Sequence, residues 1–230
     1  MGLKEDISGE VRNIFKLSWS ERNGIVVPET DNLILGNDGV WLNATILYAD
    51  MADSTHLVDT FNAKFAAKVY KAFLHAAAKI IRAESGSITA YDGDRIMAVF
   101  IGDKKNPSAA RAAIKINYAR CTIINPEIKQ KYPNTKFELR HVVGVDTSKV
   151  FIARTGIRGA NDLVWVGRAA NHAAKLASLS SDFPSRITEE VYDSLSESTK
   201  ISGSGKLMWE PVTWNFTNKT IYRSLWTWEI

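Results

Sequence analysis

Two aspartates stand where short apolar runs meet turns. Asp50 closes Ile46-Leu47-Tyr48-Ala49-Asp50, and Asp94 follows Asp92-Gly93 just ahead of Ile96-Met97-Ala98-Val99-Phe100. Strand-end carboxylates are what metal-assisted phosphoryl transfer requires: when a hydroxyl displaces a phosphate, negative charge builds on the entering and the leaving oxygen, and divalent cations offset it. Hard cations such as Mg²⁺ or Mn²⁺ take oxygen ligands, commonly one or two carboxylates plus the phosphates of the substrate. Either aspartate alone reads more readily as a turn former or a solvated charge. A second pair, Asn171 and Lys175, is four residues apart and so shares one helical face, from which an amide and a cation can reach one substrate.

The elements that must position these groups follow from the apolar pattern. An amphipathic N-terminal helix carrying Val11, Ile14, Phe15 and Leu17 leads to a turn at Pro28 and a short strand at 33–35. A strand over 44–49 precedes one long helix whose Leu57, Phe61, Phe65, Val69, Phe73, Ala76 and Ile80 recur every three or four positions, and Gly86 stops it. Asp92-Gly93 between apolar runs marks a hairpin of 87–91 with 95–100. Asn106-Pro107 reads as the cap of a second helix. A strand over 137–145 is expected to turn at Asp146-Thr147-Ser148 and pair with 150–153. The order strand, helix, strand, strand, helix, strand is the ferredoxin-like βαββαβ arrangement of an α+β domain. It brings Asp50 beside Asp94 at one end of a central antiparallel sheet. A short helix around 171–176 and tail strands near 207–214 and 221–225 complete the pattern, giving an N-terminal extension (1–40), a catalytic domain (41–200) and a C-terminal strand tail (201–230) packed on that domain.

Composition bounds the function. The chain has 230 residues, 45% apolar and 23% charged, ordinary for a globular protein with a real core. Its net charge of +4 is spread without dense runs, which suits a small anionic substrate and argues against a nucleic-acid stripe. A lone cysteine, Cys121, forms no internal disulfide and reads as core packing, and the four histidines lack zinc-ligand spacing. No apolar run is long enough for a membrane span and no signal peptide is evident, so a cytoplasmic location is expected. Asp53, before Ser54 and Thr55, reads as a helix cap.

Three segments, Tyr48-Ala49-Asp50, Gly93-Asp94 before Met97-Ala98-Val99-Phe100, and 167–176 (Gly167-Arg168-Ala169-Ala170-Asn171 onward to Leu176), resemble the signature segments of class III nucleotidyl cyclases over roughly 40–190. The resemblance implies that Asp50 and Asp94 bind two divalent metal ions, Mn²⁺ or Mg²⁺, with the backbone carbonyl of Met51 as a further ligand. It also implies a head-to-tail homodimer in which each site borrows Asn171, orienting the ribose, and Lys175, at the phosphate, from the partner chain. Lys175 stands where the family usually has arginine; the charge is kept and the bidentate fork is lost. That substitution also leaves open a cyclase-like nucleotide sensor of weak or no activity.

Purine-using members choose their base through two polar side chains, at positions that here fall on Ala90 and Val164 or, with the register moved by one, on Tyr91 and Trp165. Ala90 and Val164 cannot hydrogen-bond a purine edge, and buried polar groups carry large discrimination. The pattern resembles the bacterial pyrimidine cyclases of the Pycsar anti-phage systems. It implies that UTP or CTP is converted to the 3',5'-cyclic monophosphate, on phage infection, for a separate effector protein; a purine cyclase is the alternative. Tyr48 lies two positions before Asp50 and so faces the same side, where it stacks on the base or simply packs. Arg95 either donates to a pyrimidine carbonyl or a phosphate, or pairs with Asp92.

Overall fold

The computed structural model describes residues 2–230. In chain order the elements are α1 (Leu3–Lys16), β1 (Ser20–Asn23), β2 (Asp38–Met51), α2 (Ser54–Thr60), α3 (Ala63–Ala83), β3 (Ser87–Asp92), β4 (Arg95–Phe100), α4 (Lys105–Ala119), α5 (Asn125–Lys131), β5 (His141–Ile157), β6 (Ala160–Val166), α6 (Arg168–Ala177), β7 (Ser185–Thr188), α7 (Glu189–Asp193), α8 (Glu197–Lys200), β8 (Glu210–Trp214) and β9 (Lys219–Ser224). One sheet runs β3-β4-β2-β5-β7-β9-β8, with β1 alongside β2 and β6 alongside β5. Its first four strands have the order and antiparallel pairing of the ferredoxin-like split βαβ unit.

Alternation along β2 divides the core in two. Leu47, Ala49 and Met51 face α3 and α4, whose Phe65, Val69, Phe73, Ile80, Ala113 and Ile116 fill the larger cluster. Val40, Leu42, Ala44 and Ile46 face the other way, under Ala169, Ala170 and Ala173 of α6. The close approach of α6 depends on Gly144 of β5: a Cβ there would lie 2.2 Å from the Ala173 carbonyl oxygen and 2.6 Å from the Ala177 nitrogen.

Several local expectations are corrected. The long helix is two, because Asn62 caps α3 by accepting from the Phe65 N–H at 3.0 Å. Residues 33–35 form no strand, while Leu33 is buried. Asn106 is not a cap: Lys104 holds that position, and the Asn106 side chain is buried against the Thr45 hydroxyl. The strand does not turn at Asp146 but continues through it as the 17-residue β5, and its hairpin partner is β6. The Asp146 carboxylate is buried, and its Oδ1 accepts from the Thr147 N–H (2.8 Å) and the Thr188 hydroxyl (2.6 Å), with Arg168 at 3.3 Å, while Oδ2 has no hydrogen-bond partner. Those bonds outweigh its local turn preference. Cys121 is exposed, not core, because a π-helical turn at Arg120–Ile124 rotates it outward between α4 and α5. Helix α1 buries none of its residues, and Asn37 ties its end by donating to the Ile14 and Leu17 carbonyls.

Candidate active site

Where β2 ends, its second face runs out from under α6. Asp50 pairs there with Arg95 of β4, directly opposite it in register. The Arg95 Nε and an Nη donate at 3.1 and 2.8 Å, both to Asp50 Oδ2, so Oδ1 lies outside the pair. The ion-pair partner of Arg95 is thus Asp50 and not Asp92, the carboxylate that the alternative to a substrate-binding role would give it. Tyr48 and Asp50 do share a face, and the Arg95 guanidinium lies 5.9 Å from the Tyr48 ring centroid. Ala90, opposite Met97 across the β3–β4 ladder, packs with Tyr48 and Met97 against the same cluster.

A cleft of about 540 Å³ opens at this strand end. Asp50, Met51 and Arg95 line it together with Asp53, Arg140 and the Ser178–Ser181 stretch after α6. Arg140 and the serines were not singled out by sequence reasoning. Their signal was faint: a lone arginine before a strand, and a hydroxyl-rich loop following a motif helix. Asp53 sits at the N-cap of α2 in left-handed conformation (φ 59°) without a side-chain capping bond; its carboxylate pairs instead with Arg140.

Burial, as the largest effect, pushes the Asp50 pKa above the ordinary carboxylate value; Arg95 opposes this, and the charges of Asp94 and Asp92 add to it. Asp94 belongs to the β3–β4 turn, beside the left-handed Gly93 (φ 59°). It acts on Asp50 through charge without lining the cleft. Among the described residues no three His, Cys, Asp or Glu side chains converge as a ready metal cage. The donor set still fits divalent cations: crowded carboxylates with one free oxygen, and a strand-end carbonyl, leave phosphates to complete the shell.

Asn171 and Lys175 lie exposed on the outer face of α6, outside the lining of the Asp50 cleft. Helix α6 is anchored near its start by Arg168, which donates to the Thr147 carbonyl at 2.6 Å and pairs with Asp146 and Glu190. The His172 Nδ1 is 3.4 Å from Asp146, and burial holds that histidine below its ordinary pKa. Val164 projects from β6 and is exposed, whereas its neighbours Leu163 and Trp165 pack on the second cluster. The chain therefore gathers Asp50, Met51, Arg95, Tyr48 and Ala90 at one end, and carries Asn171, Lys175 and Val164 elsewhere.

The adenylate and guanylate cyclase catalytic domain family matches residues 41–210. The chain is 52% identical to a protein of Xanthomonas perforans named uridylate cyclase, with 100% of both chains covered. It is 47% identical to one of the same name from Burkholderia cepacia, again over 100% of both. Among solved structures it is similar to the guanylyl cyclase Cya2, with a TM-score of 0.68 and 17% identity over 83% of this chain and 95% of that one. The adenylyl cyclase CyaB from P. aeruginosa gives a TM-score of 0.63 at 20% identity, over 81% and 95%. At such identities these two likenesses speak for the fold alone.

Proposed function

The chain belongs to the adenylate and guanylate cyclase catalytic domain family, the class III nucleotidyl cyclases, and we propose that its substrate is UTP, converted to 3',5'-cyclic UMP and pyrophosphate. The observation that carries the choice of base is the sheet face beside Asp50. Tyr48, Ala90 and Met97 form an apolar surface there, with Arg95 as its charged donor. Such a face offers a ring to stack on and a cation for a carbonyl oxygen, and no pair of polar side chains for a purine edge. The name borne by the relatives of Xanthomonas perforans and Burkholderia cepacia supports UTP over CTP.

Asp50, the Met51 carbonyl and Asp94 are the oxygen donors assigned to two divalent cations, Mg²⁺ or Mn²⁺. Bound there, such cations lower the pKa of the ribose 3'-hydroxyl and offset charge on the departing pyrophosphate. Asn171 orients the ribose and Lys175 steadies the phosphate charge, both supplied by a second copy of the chain. Their place on α6, away from the Asp50 cleft, supports this division, and Arg140 with the serine loop supplies donors for the triphosphate. The enzyme works in the cytoplasm, and its product acts as a second messenger in anti-phage defence, read by a separate effector protein. No described helix is long and apolar enough to cross a membrane.

The test is incubation of the purified protein with each of the four NTPs and Mn²⁺. Cyclic UMP is expected from UTP, and none from an Asp50→Ala variant. A second reading, a nucleotide sensor, is favoured by the Arg95–Asp50 pair, which occupies one carboxylate oxygen. UTP binding without pyrophosphate release would select it.

A further inference from the structure

The turn of the β8–β9 hairpin stands against the outer face of α6. Leu176, Trp214 and Ile221 form a small buried cluster joining hairpin to helix, and the His172 ring meets Trp214 edge-on at 5.2 Å. The turn is tight: Asn218 is left-handed (φ 55°), and the N–H groups of Thr217 and Asn218 both donate to the Trp214 carbonyl, at 3.1 and 2.8 Å. Phe216, within this turn, is braced by the Trp214 ring at 5.1 Å yet remains 55% exposed. The Lys175 ammonium lies 4.3 Å from the centroid of the Phe216 ring.

This contact addresses what Lys175 lacks. A lysine is a point charge on a flexible four-carbon stem and, unlike arginine, has no planar fork to set its direction at a phosphate. An aromatic face attracts an ammonium from one side and leaves its other side free. We infer that Phe216 is a positioning residue for Lys175: its ring confines the ammonium on α6 while leaving it open to the substrate's phosphates. The C-terminal hairpin is then part of the catalytic apparatus, acting through Lys175. The inference rests on the reading of Lys175 as the residue that steadies phosphate charge.

The test compares kcat and KM for UTP, and Tm, in Phe216→Ala, Phe216→Leu, Phe216→Tyr, Lys175→Met and the Phe216→Ala/Lys175→Met double variant. Loss of the ring is expected to lower kcat by about two- to fivefold, with KM little changed, the size of an exposed cation–π contact. Leucine keeps the apolar bulk against Trp214 without the ring and should lose as much as alanine; tyrosine should retain the activity. Tm should move little, because the side chain is half exposed. In the Lys175→Met background the Phe216→Ala change should cost nothing further. Full activity in Phe216→Leu, or an undiminished second loss in the double variant, overturns the positioning role alone. Undiminished kcat in Lys175→Met overturns the role of Lys175, and that of Phe216 with it.

Discussion

Replacing Gly144 by alanine should cripple the enzyme without unfolding it. The added Cβ would meet the Ala173 carbonyl oxygen at 2.2 Å, the Ala177 nitrogen at 2.6 Å and the Leu176 Cβ at 2.7 Å. All three belong to the frame of α6, so no flexible side chain can swing aside. Moving Ala173 from 2.2 Å to beyond 3.0 Å requires the helix to retreat by about 0.8 Å. Overpacking of this kind costs about 1–3 kcal/mol, against which alanine gains about 0.5–1 kcal/mol over glycine in a strand. The net loss, up to about 2.5 kcal/mol, lowers Tm by up to roughly 10 °C in a chain of this size. Activity should suffer more, since a misplacement of about 1 Å in a positioning group costs on the order of 10²-fold, and α6 carries both Asn171 and Lys175. The assay is kcat for UTP beside a thermal melt, with Gly203→Ala as control because a Cβ there meets nothing within 4 Å. Wild-type kcat and Tm in Gly144→Ala would refute the close seating of α6 and its part in catalysis.

Two further outcomes follow from single residues. Tyr48→Ala removes the half-buried ring beside Arg95; kcat/KM for UTP should fall by about 5- to 160-fold if the base stacks there, worth about 1–3 kcal/mol, while unchanged kcat/KM would return Tyr48 to mere packing. His141 is fully buried with neither ring nitrogen hydrogen-bonded, and burial, assisted by the charge of Arg120, pushes its pKa down to about 3. The unfolded chain then binds the extra proton first, so its contribution to stability is full above pH 6.5 and is lost as the pH falls toward 3. Urea unfolding at pH 7 and pH 4 should show about 3 kcal/mol of this loss, and His141→Leu should remove that share of the pH dependence.

Much of the fold was legible because it is written locally. The apolar run at 44–49, the Asp92-Gly93 turn and the spacing of α3 sufficed to order β5, β2, β4 and β3 and to bring Asp50 near Asp94. What escaped depends on partners distant in the chain. Asp146 looks like a turn former, and partners distant in the chain, Ile46 across the ladder and Thr188 and Arg168 at its carboxylate, hold it in the strand. Arg95 has an aspartate three positions before it, yet register across the sheet gives it Asp50. Cys121 follows a helical pattern that a π-turn interrupts. Phe216 carries no motif at all, and its relation to Lys175 exists only once the hairpin folds back onto α6.

The proposed site is divided between two copies of the chain, with Asp50 from one and Asn171 from the other. The direct measurement is cyclic UMP formation from UTP by Asp50→Ala, by Asn171→Ala, and by an equimolar mixture of the two after subunit exchange. Each variant alone should be inactive. The mixture should recover roughly a quarter of wild-type activity, because half of the dimers are mixed and each of those holds one intact site. A mixture as inactive as its components, or a cyclic product made from ATP or GTP in place of UTP, would contradict it.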